Sequence, residues 1–373
     1  MGEKTKERLS VVPDYRHSSY VSHKLSDILI IVMTAVICGL DQLNTIMVYA
    51  HEKSEFFARC FNIEKIPSKP TMSRVLNMLK AEAVTKVIIG IMKEEAGNLG
   101  KIVAFDGKAI RSTAEAGKPH SALQILTAYM VESGVVLAQE SVHEKTNEIP
   151  VMREILDDIE IEGKIVTADA LHCQRDTCEK IVDDEHGGDY VFGLKENQKT
   201  LHDDVALFFG DASNDDSIES YKKTESNGGR IESRTCRKTN DLNFLSYHEW
   251  PGLKSIFEVR RVFTTKNGSA KSDETSYYIS SLNTTAAEFM HISRAHWGIE
   301  SMHWMLDSDF GEDECELLSE NGQQSLNIFR KLALSVHKSY MATRPKNKKC
   351  SIKSNFLRCL VSDSALLDVF RFL

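Results

Sequence analysis

What the sequence lacks narrows it first. In 373 residues no apolar run is long enough to cross a bilayer: the longest, Ile28 to Leu40, is broken by Thr34, whereas a span needs roughly 20 apolar residues. That stretch is expected to be a buried helix, and no membrane partner is expected. No secretory signal opens the chain, and its eight cysteines show no disulfide-like framework, so reduced thiols and the cytoplasm are the expected setting. There is no internal repeat of domain size. Aspartate and glutamate are missing altogether from Asn321 to Ser362, a segment that holds nine basic residues between Arg330 and Arg358. The net charge of −8 by itself argues against nucleic acid. The basic end, set against an acidic remainder, argues for an anionic partner there, or else for a solvated tail.

What is present is ordinary for a globular protein, 42% apolar and 27% charged, and long enough for two or three domains. Residues 1–95 read as helical, because Leu25, Ile28, Leu29, Met33 and Val36 recur at helical spacing. After the turn Ile66-Pro67-Ser68-Lys69-Pro70, Thr71 is placed to cap a helix from Met72 to Lys80 with Arg74 near its start. Such a helix can serve as a DNA-recognition helix or as an ordinary packing unit.

From Lys101 the texture becomes strand, strand, strand, helix, strand, helix, strand, helix. A hairpin followed by crossover units gives an α/β fold with a mixed sheet. That order is the one found in the ribonuclease H-like fold. Residues 211–282 read as a β-rich insertion, with strands separated by Asn-Gly and Gly-Gly turns. Helices resume near Thr284, and residues 346–373 form a basic, looser tail.

Three acids stand out. Asp106 ends the apolar run Ile102-Val103-Ala104-Phe105, Asp169 ends Ile165-Val166-Thr167-Ala168, and Glu300 lies on a helix. An acid at the end of a buried strand is costly unless neutralised, and three brought together repel unless a divalent cation lies between them. Hard oxygen ligands of this kind suit magnesium or manganese, the equipment of metal-assisted phosphoryl transfer. The helix has two stripes. Ile299, Met302, Leu306 and Phe310 form an apolar one, and His296, Glu300, His303 and Asp307 form an ionisable one flanked by Trp297 and Trp304. Two histidines, two acids and two tryptophans suit a site for a metal or for phosphates, though histidine and tryptophan also pack in cores.

These residues resemble a family. Phe105-Asp106-Gly107-Lys108-Ala109-Ile110-Arg111 is similar to the first-aspartate motif of bacterial insertion-sequence transposases of the ISAs group, which includes the H-repeat-associated proteins. Thr167-Ala168-Asp169-Ala170-Leu171-His172-Cys173-Gln174 resembles its second motif. Gly193-Leu194-Lys195-Glu196-Asn197-Gln198 resembles its Leu-Lys-x-Asn-Gln segment. His296-Trp297-Gly298-Ile299-Glu300 and His303-Trp304-Met305-Leu306-Asp307 resemble its third. The N-terminal region resembles the helical domain associated with these enzymes, so the resemblance covers nearly the whole chain.

The resemblance implies a DDE transposase with Asp106, Asp169 and Glu300 as its catalytic, metal-binding triad. Two magnesium or manganese ions would clamp the scissile phosphate of DNA at the inverted repeats of a mobile element and during joining to target DNA. Two protomers would act in the DNA complex. Lys108, Arg111, Lys195, Arg230, His296, Trp297, His303 and Arg74 are the candidate DNA contacts. Asp307, Glu312 and Asp313 are rivals for the third acid, and the motif match favours Glu300. One departure stands out: Gly228 occupies the place of a usual histidine before Arg230, which puts activity in doubt. A nuclease without strand transfer and an inactive DNA-binding protein are the alternatives. A zinc hydrolase using His296, Glu300 and His303 is a further one. Zinc at His172, Cys173 and Cys178 lacks a second ligand pair.

Overall fold

The computed structural model describes every residue except Met1, 115–121, 143–146, 228–229, 266–269, 315–316 and 318, and at Gly2, Glu3, Tyr20, Asn227, Arg230, Ala270 and Lys271 it describes the backbone alone. The chain opens with helices α1 (Gly2–Leu9), α2 (Leu25–Ile37), α3 (Leu43–Glu52), α4 (Ser54–Phe61), α5 (Lys69–Met78) and α6 (Ala81–Ala96). Every residue of helix α2 except Asp27, in its first turn, is buried. Its lone mid-helix hydroxyl, Thr34, satisfies itself by donating to the carbonyls of Ile30 (2.8 Å) and Ile31 (2.9 Å). Helix α5 starts earlier than the capping argument expects. Its first residue is Lys69, Ser68 precedes it, and Thr71 lies inside the first turn with its hydroxyl 3.0 Å from that of Ser68. Pro70 in that first turn costs no hydrogen bond, which is why the helix runs through it.

Next come β1 (Ile102–Ile110), β2 (Leu123–Met130), β3 (Val135–Val142), α7 (Glu148–Asp158), β4 (Ile165–Ala168), α8 (Arg175–Val182), β5 (Asp189–Leu194) and α9 (Lys199–Gly210). Strand β1 runs antiparallel to β2 and parallel to β4, and β4 runs parallel to β5. The strands that follow are β6 (Glu219–Asn227), β7 (Arg230–Thr239), β8 (Ser255–Thr265) and β9 (Ala270–Ser280). They do not form a separate sheet. Strand β9 pairs antiparallel with β5, so among the described residues one nine-stranded mixed sheet runs β3-β2-β1-β4-β5-β9-β8-β7-β6.

The chain closes with α10 (Ala286–Ala295), α11 (Trp297–Phe310), α12 (Glu320–Thr343), α13 (Ile352–Val361) and α14 (Asp363–Phe370). The looseness expected of residues 346–373 is not found. Phe356, Cys359, Leu366, Val369 and Phe370 are buried, Phe370 meets the ring of Phe61 edge-on, and Asp363 pairs with Lys53 (2.7 Å) and Arg59 (2.8 Å). Basic composition hid the apolar period that docks these two short helices on the N-terminal ones.

The basic end is also partly interior. Arg330 is fully buried and pairs with Asp41 at 2.6 Å. Buried Lys331 donates to Thr127 (2.9 Å) and Gln139 (2.8 Å) across β2 and β3. Lys346, Lys348, Lys349 and Lys353 remain exposed. His337 is sealed between its neighbours: Nε2 lies 2.8 Å from the Ile37 carbonyl at the end of α2, and Nδ1 lies 2.7 Å from the Asn355 amide. The first nitrogen therefore donates and the second accepts.

Candidate active site

Strand β1 buries Ile102 to Phe105 and then presents Asp106 and Lys108 on one face and Gly107 on the other, as strand alternation requires. Helix α11 lies on the Asp106 face. Its apolar stripe Ile299, Met302, Leu306 and Phe310 is buried as the spacing predicts. Gly298 permits the close approach, since a Cβ there would stand 2.8 Å from Val131 Cγ1. This docking carries His303 to Asp106, with Nδ1 3.2 Å from Oδ2. It also brings Glu300 into the field of Asp106. Burial, and then the Asp106 charge, raise the Glu300 carboxyl above the usual range, with His303 pulling the other way.

Asp169 follows the last residue of β4 and turns the chain, accepting a hydrogen bond from the Leu171 amide at 3.0 Å. The turn is held from outside by the segment after β5. Asn197 donates to the Ala170 carbonyl (2.6 Å) and Gln198 to that of Cys173 (3.0 Å). His296 sits between the first two acids, its Nδ1 3.1 Å from Thr167 Oγ1. Burial lowers its proton affinity, Asp106 and Asp169 pull it up, and His172 pushes it down. The three expected acids and both histidines therefore share one end of the β1–β4 strand pair.

The rival acids belong to a second, neutralised cluster. Lys108 is paired with Asp307 and, at 3.2 Å, with the buried carboxylate of Glu312. Burial pulls the Lys108 ammonium down, but these two acids outweigh it. Asp313 accepts from the Arg111 amide at 3.0 Å. Lys108 is thus engaged by two acids of the chain itself. The Arg111 guanidinium remains exposed. By contrast, among the described residues no lysine or arginine pairs with Asp106, Asp169 or Glu300. The chain compensates one set of acids and leaves the adjacent set without a cation.

Other candidates disperse around this centre. Lys195 is exposed and, with Asp169, Leu171, Asn197 and His202, lines a cleft of about 530 Å³. Trp297 is partly exposed, with the guanidinium carbons of Arg261 and Arg234 at 4.5 and 5.1 Å from its ring. Sequence reasoning found neither arginine, because they lie on β8 and β7. Trp304 is largely exposed one helical repeat further on. Arg74 is exposed on α5, with its Nε 3.3 Å from the Pro70 carbonyl, and no described contact links it to the acids. Gly228 and the Arg230 side chain lie outside the described residues. Cys173 and Cys178 are fully buried, and burial drives both thiols up, Cys178 to about 12. That is the opposite of what a thiolate ligand needs.

Three carboxylates with no lysine or arginine paired to them among the described residues are a hard-oxygen donor set that fits magnesium or manganese. Their placement is open rather than closed: among the described residues no three acid, histidine or cysteine side chains already surround a single point as metal ligands do. No described helix is long and apolar enough to cross a membrane.

Comparison with known proteins shows the family. A family model described as Transposase DDE domain matches residues 97–336, and one described as DDE_Tnp_1-associated matches residues 6–92. The "Putative transposase YncI" of Escherichia coli O157:H7 is 35% identical over 88% of this chain and 85% of its own length. The "H repeat-associated putative transposase YhhI" of Escherichia coli K12 is 31% identical over 98% of this chain and 99% of its own. The "Inactive transposase YbfQ" of the same strain is 35% identical over 21% of this chain and 94% of its own. Among solved structures, a synaptic complex of piggyBac transposase with hairpin DNA aligns with a TM-score of 0.43 at 11% identity, over 99% of this chain and 77% of that one.

Proposed function

We propose that this chain, which belongs to the DDE transposase family, cuts DNA at the ends of its own mobile element and joins the freed strand to target DNA. Asp106, Asp169 and Glu300 are its catalytic residues and would hold magnesium or manganese. The observation that carries this reading is the split between two neighbouring acid clusters. Lys108 and Arg111 serve Asp307, Glu312 and Asp313, while the three motif acids are left together without a lysine or arginine. A bound divalent cation would relieve the mutual repulsion of acids held together in this way. Strand order β3-β2-β1-β4-β5, antiparallel and then parallel, supports a ribonuclease H-like core for the same reading.

Bound there, magnesium would supply the charge that sharpens the attacking oxygen and stabilises the leaving one. The protein's own part is placement. Asp106 projects from the middle of β1 and Asp169 from just past the end of the adjacent β4, and Glu300 arrives on a helix docked by its apolar stripe. His303 holds the Asp106 carboxylate from the side at 3.2 Å. Arg111 and Lys195 take the DNA backbone. Trp297, backed by Arg261 and Arg234, which are themselves paired with Glu232, offers a partly exposed stacking face suited to an unpaired nucleotide. Residues 1–95, with Arg74 on α5, form a helical unit that helps hold the element ends, and residues 96–345 form the catalytic unit with its insertion. Two protomers act on a pair of ends, on DNA in the cytoplasm.

A second reading is a DNA-binding protein that no longer transfers strands. Gly228, where the resembled motif has histidine, and a relative named as inactive favour it. One assay separates the two. Protein is incubated with magnesium and DNA carrying the element's inverted repeats. Cut and joined products from the parent, and neither from Asp106→Ala or Asp169→Ala while both still bind, support the transposase. Binding without cutting by the parent supports the second reading.

A further inference from the structure

We infer that Glu148 is a positioning residue of this site: through Gly107 and His172 it fixes the part of β1 that carries Asp106 against the turn carrying Asp169. The inference rests on the reading of those two acids as a cation-binding pair. Ladder pairing between β1 and β4 ends at Ala104 and Thr167, two residues short of each acid. Something else must set the gap between Asp106 and Asp169, because beyond the last pair no backbone hydrogen bond does.

Glu148 is placed to do so. It is the first residue of α7, whose start is capped by Asn147 accepting from the Ile149 amide at 3.0 Å. A carboxylate at a helix start is favoured by the exposed amide dipoles. From there it reaches across the sheet face opposite Asp106. One oxygen accepts from the Gln124 amide on β2, and the other lies 3.3 Å from His172 Nε2. Between them the carboxylate lies directly over Gly107, where a Cβ would collide with both of its oxygens. His172 is fully buried and belongs to the Asp169 turn, its amide donating to the Asp169 carbonyl at 3.2 Å. Its other ring nitrogen has no hydrogen-bond partner among the described residues, so among them Glu148 is the polar group that orients the ring. One carboxylate thus touches β2, β1 and the Asp169 turn. Asn197 and Gln198 hold that turn from the β5 side, and Glu148 holds it from the β1 side. The same contacts account for Gly107, since any side chain there removes the link.

The test reads bound Mn2+ by electron paramagnetic resonance on the full chain with its DNA ends, with melting followed in parallel. Glu148→Ala is expected to stay folded and to weaken Mn2+ binding by about 10-fold or more, the usual effect of losing an outer partner of a metal ligand. Glu148→Gln keeps an acceptor for His172 and is expected to stay within a few-fold of the parent. Gly107→Ala should weaken binding as Glu148→Ala does, and the double variant should be no weaker than either single one, while melting higher than Gly107→Ala because the collision is gone. Should Glu148→Ala not fold, His172→Phe cuts the same link from the turn side and carries the same expectation. Parent-like Mn2+ affinity in Glu148→Ala or His172→Phe overturns the inference. Equal weakening by Gln and Ala overturns it too, because the charge would then be acting directly on the cation. A parent that binds no Mn2+ at all removes the cation reading of Asp106 and Asp169, and the inference falls with it. That outcome is seen before any variant is made.

Discussion

Lys108 Nζ lies 3.2 Å from the carboxylate of Glu312, a side chain almost wholly out of water. The lysine two residues after the first acid therefore acts as an internal counter-ion. Removing one member of a buried pair strands the other's charge, at a cost of roughly 3–5 kcal/mol. Lys108→Met is expected to lower stability on that scale in urea unfolding, and Lys108→Met/Glu312→Leu to recover most of it. Equal stability of parent and single variant would contradict the pairing.

The third acid can be settled by two substitutions on one helix. Asp307 is engaged by Lys108, whereas Glu300 lies in the field of Asp106. Glu300→Gln is expected to remove several kcal/mol of transition-state stabilisation, on the order of a thousandfold in single-turnover cleavage. Asp307→Asn should retain most of the cleavage rate per folded molecule and melt lower. The reverse pattern would move the triad to Asp307.

DNA contact by the Trp297 cluster has its own signature. Arg261 is held by Glu232 at 2.5 Å. A phosphate that draws it from this pair makes Arg261→Ala weaken binding of the element ends evenly across sequences and reduce the salt slope by at most about 1. Trp297→Ala should cost about 1–3 kcal/mol on ends with unpaired nucleotides and little on intact duplex. Titrations at several salt concentrations check both, and an unchanged slope in Arg261→Ala would remove that arginine from the interface.

Acid sensitivity should trace in part to His337. Burial holds its imidazole down to about 4, against an ordinary value near 6.5. The folded chain keeps it neutral while the unfolded chain takes up a proton, so its contribution is present above pH 6.5 and is lost as pH falls toward 4. The loss reaches about 3 kcal/mol if the whole shift is expressed. His337→Gln can keep both hydrogen bonds and should flatten the fall in stability over that range. Parallel pH profiles for parent and variant would contradict this.

Much of this was legible from residue order. Strands β1 and β4 announce themselves as apolar runs cut off by an acid, and α11 shows its buried and ionisable stripes at helical spacing. What could not be read was partnership across long separations. Lys108 looks free until Glu312 is folded back onto it. Lys331 looks like part of a basic tail until Thr127, 204 residues away, receives its ammonium. Arg234 and Arg261 carry no motif, because only strand pairing brings them to Trp297. Glu148 reads as the start of an amphipathic helix, and the nearest clue is Gly107, whose missing side chain makes sense only once the glutamate lies over it. The helices after residue 346 were hidden by lysines on their outer faces.

The most direct test of the central claim is anomalous diffraction from crystals grown with manganese and cleaved element ends. The account predicts density bridged by Asp106 and Asp169, with Glu300 drawn in to complete the ligands. Manganese bound instead at Asp307 and Glu312, or an ordered DNA end with none between the three acids, would contradict it.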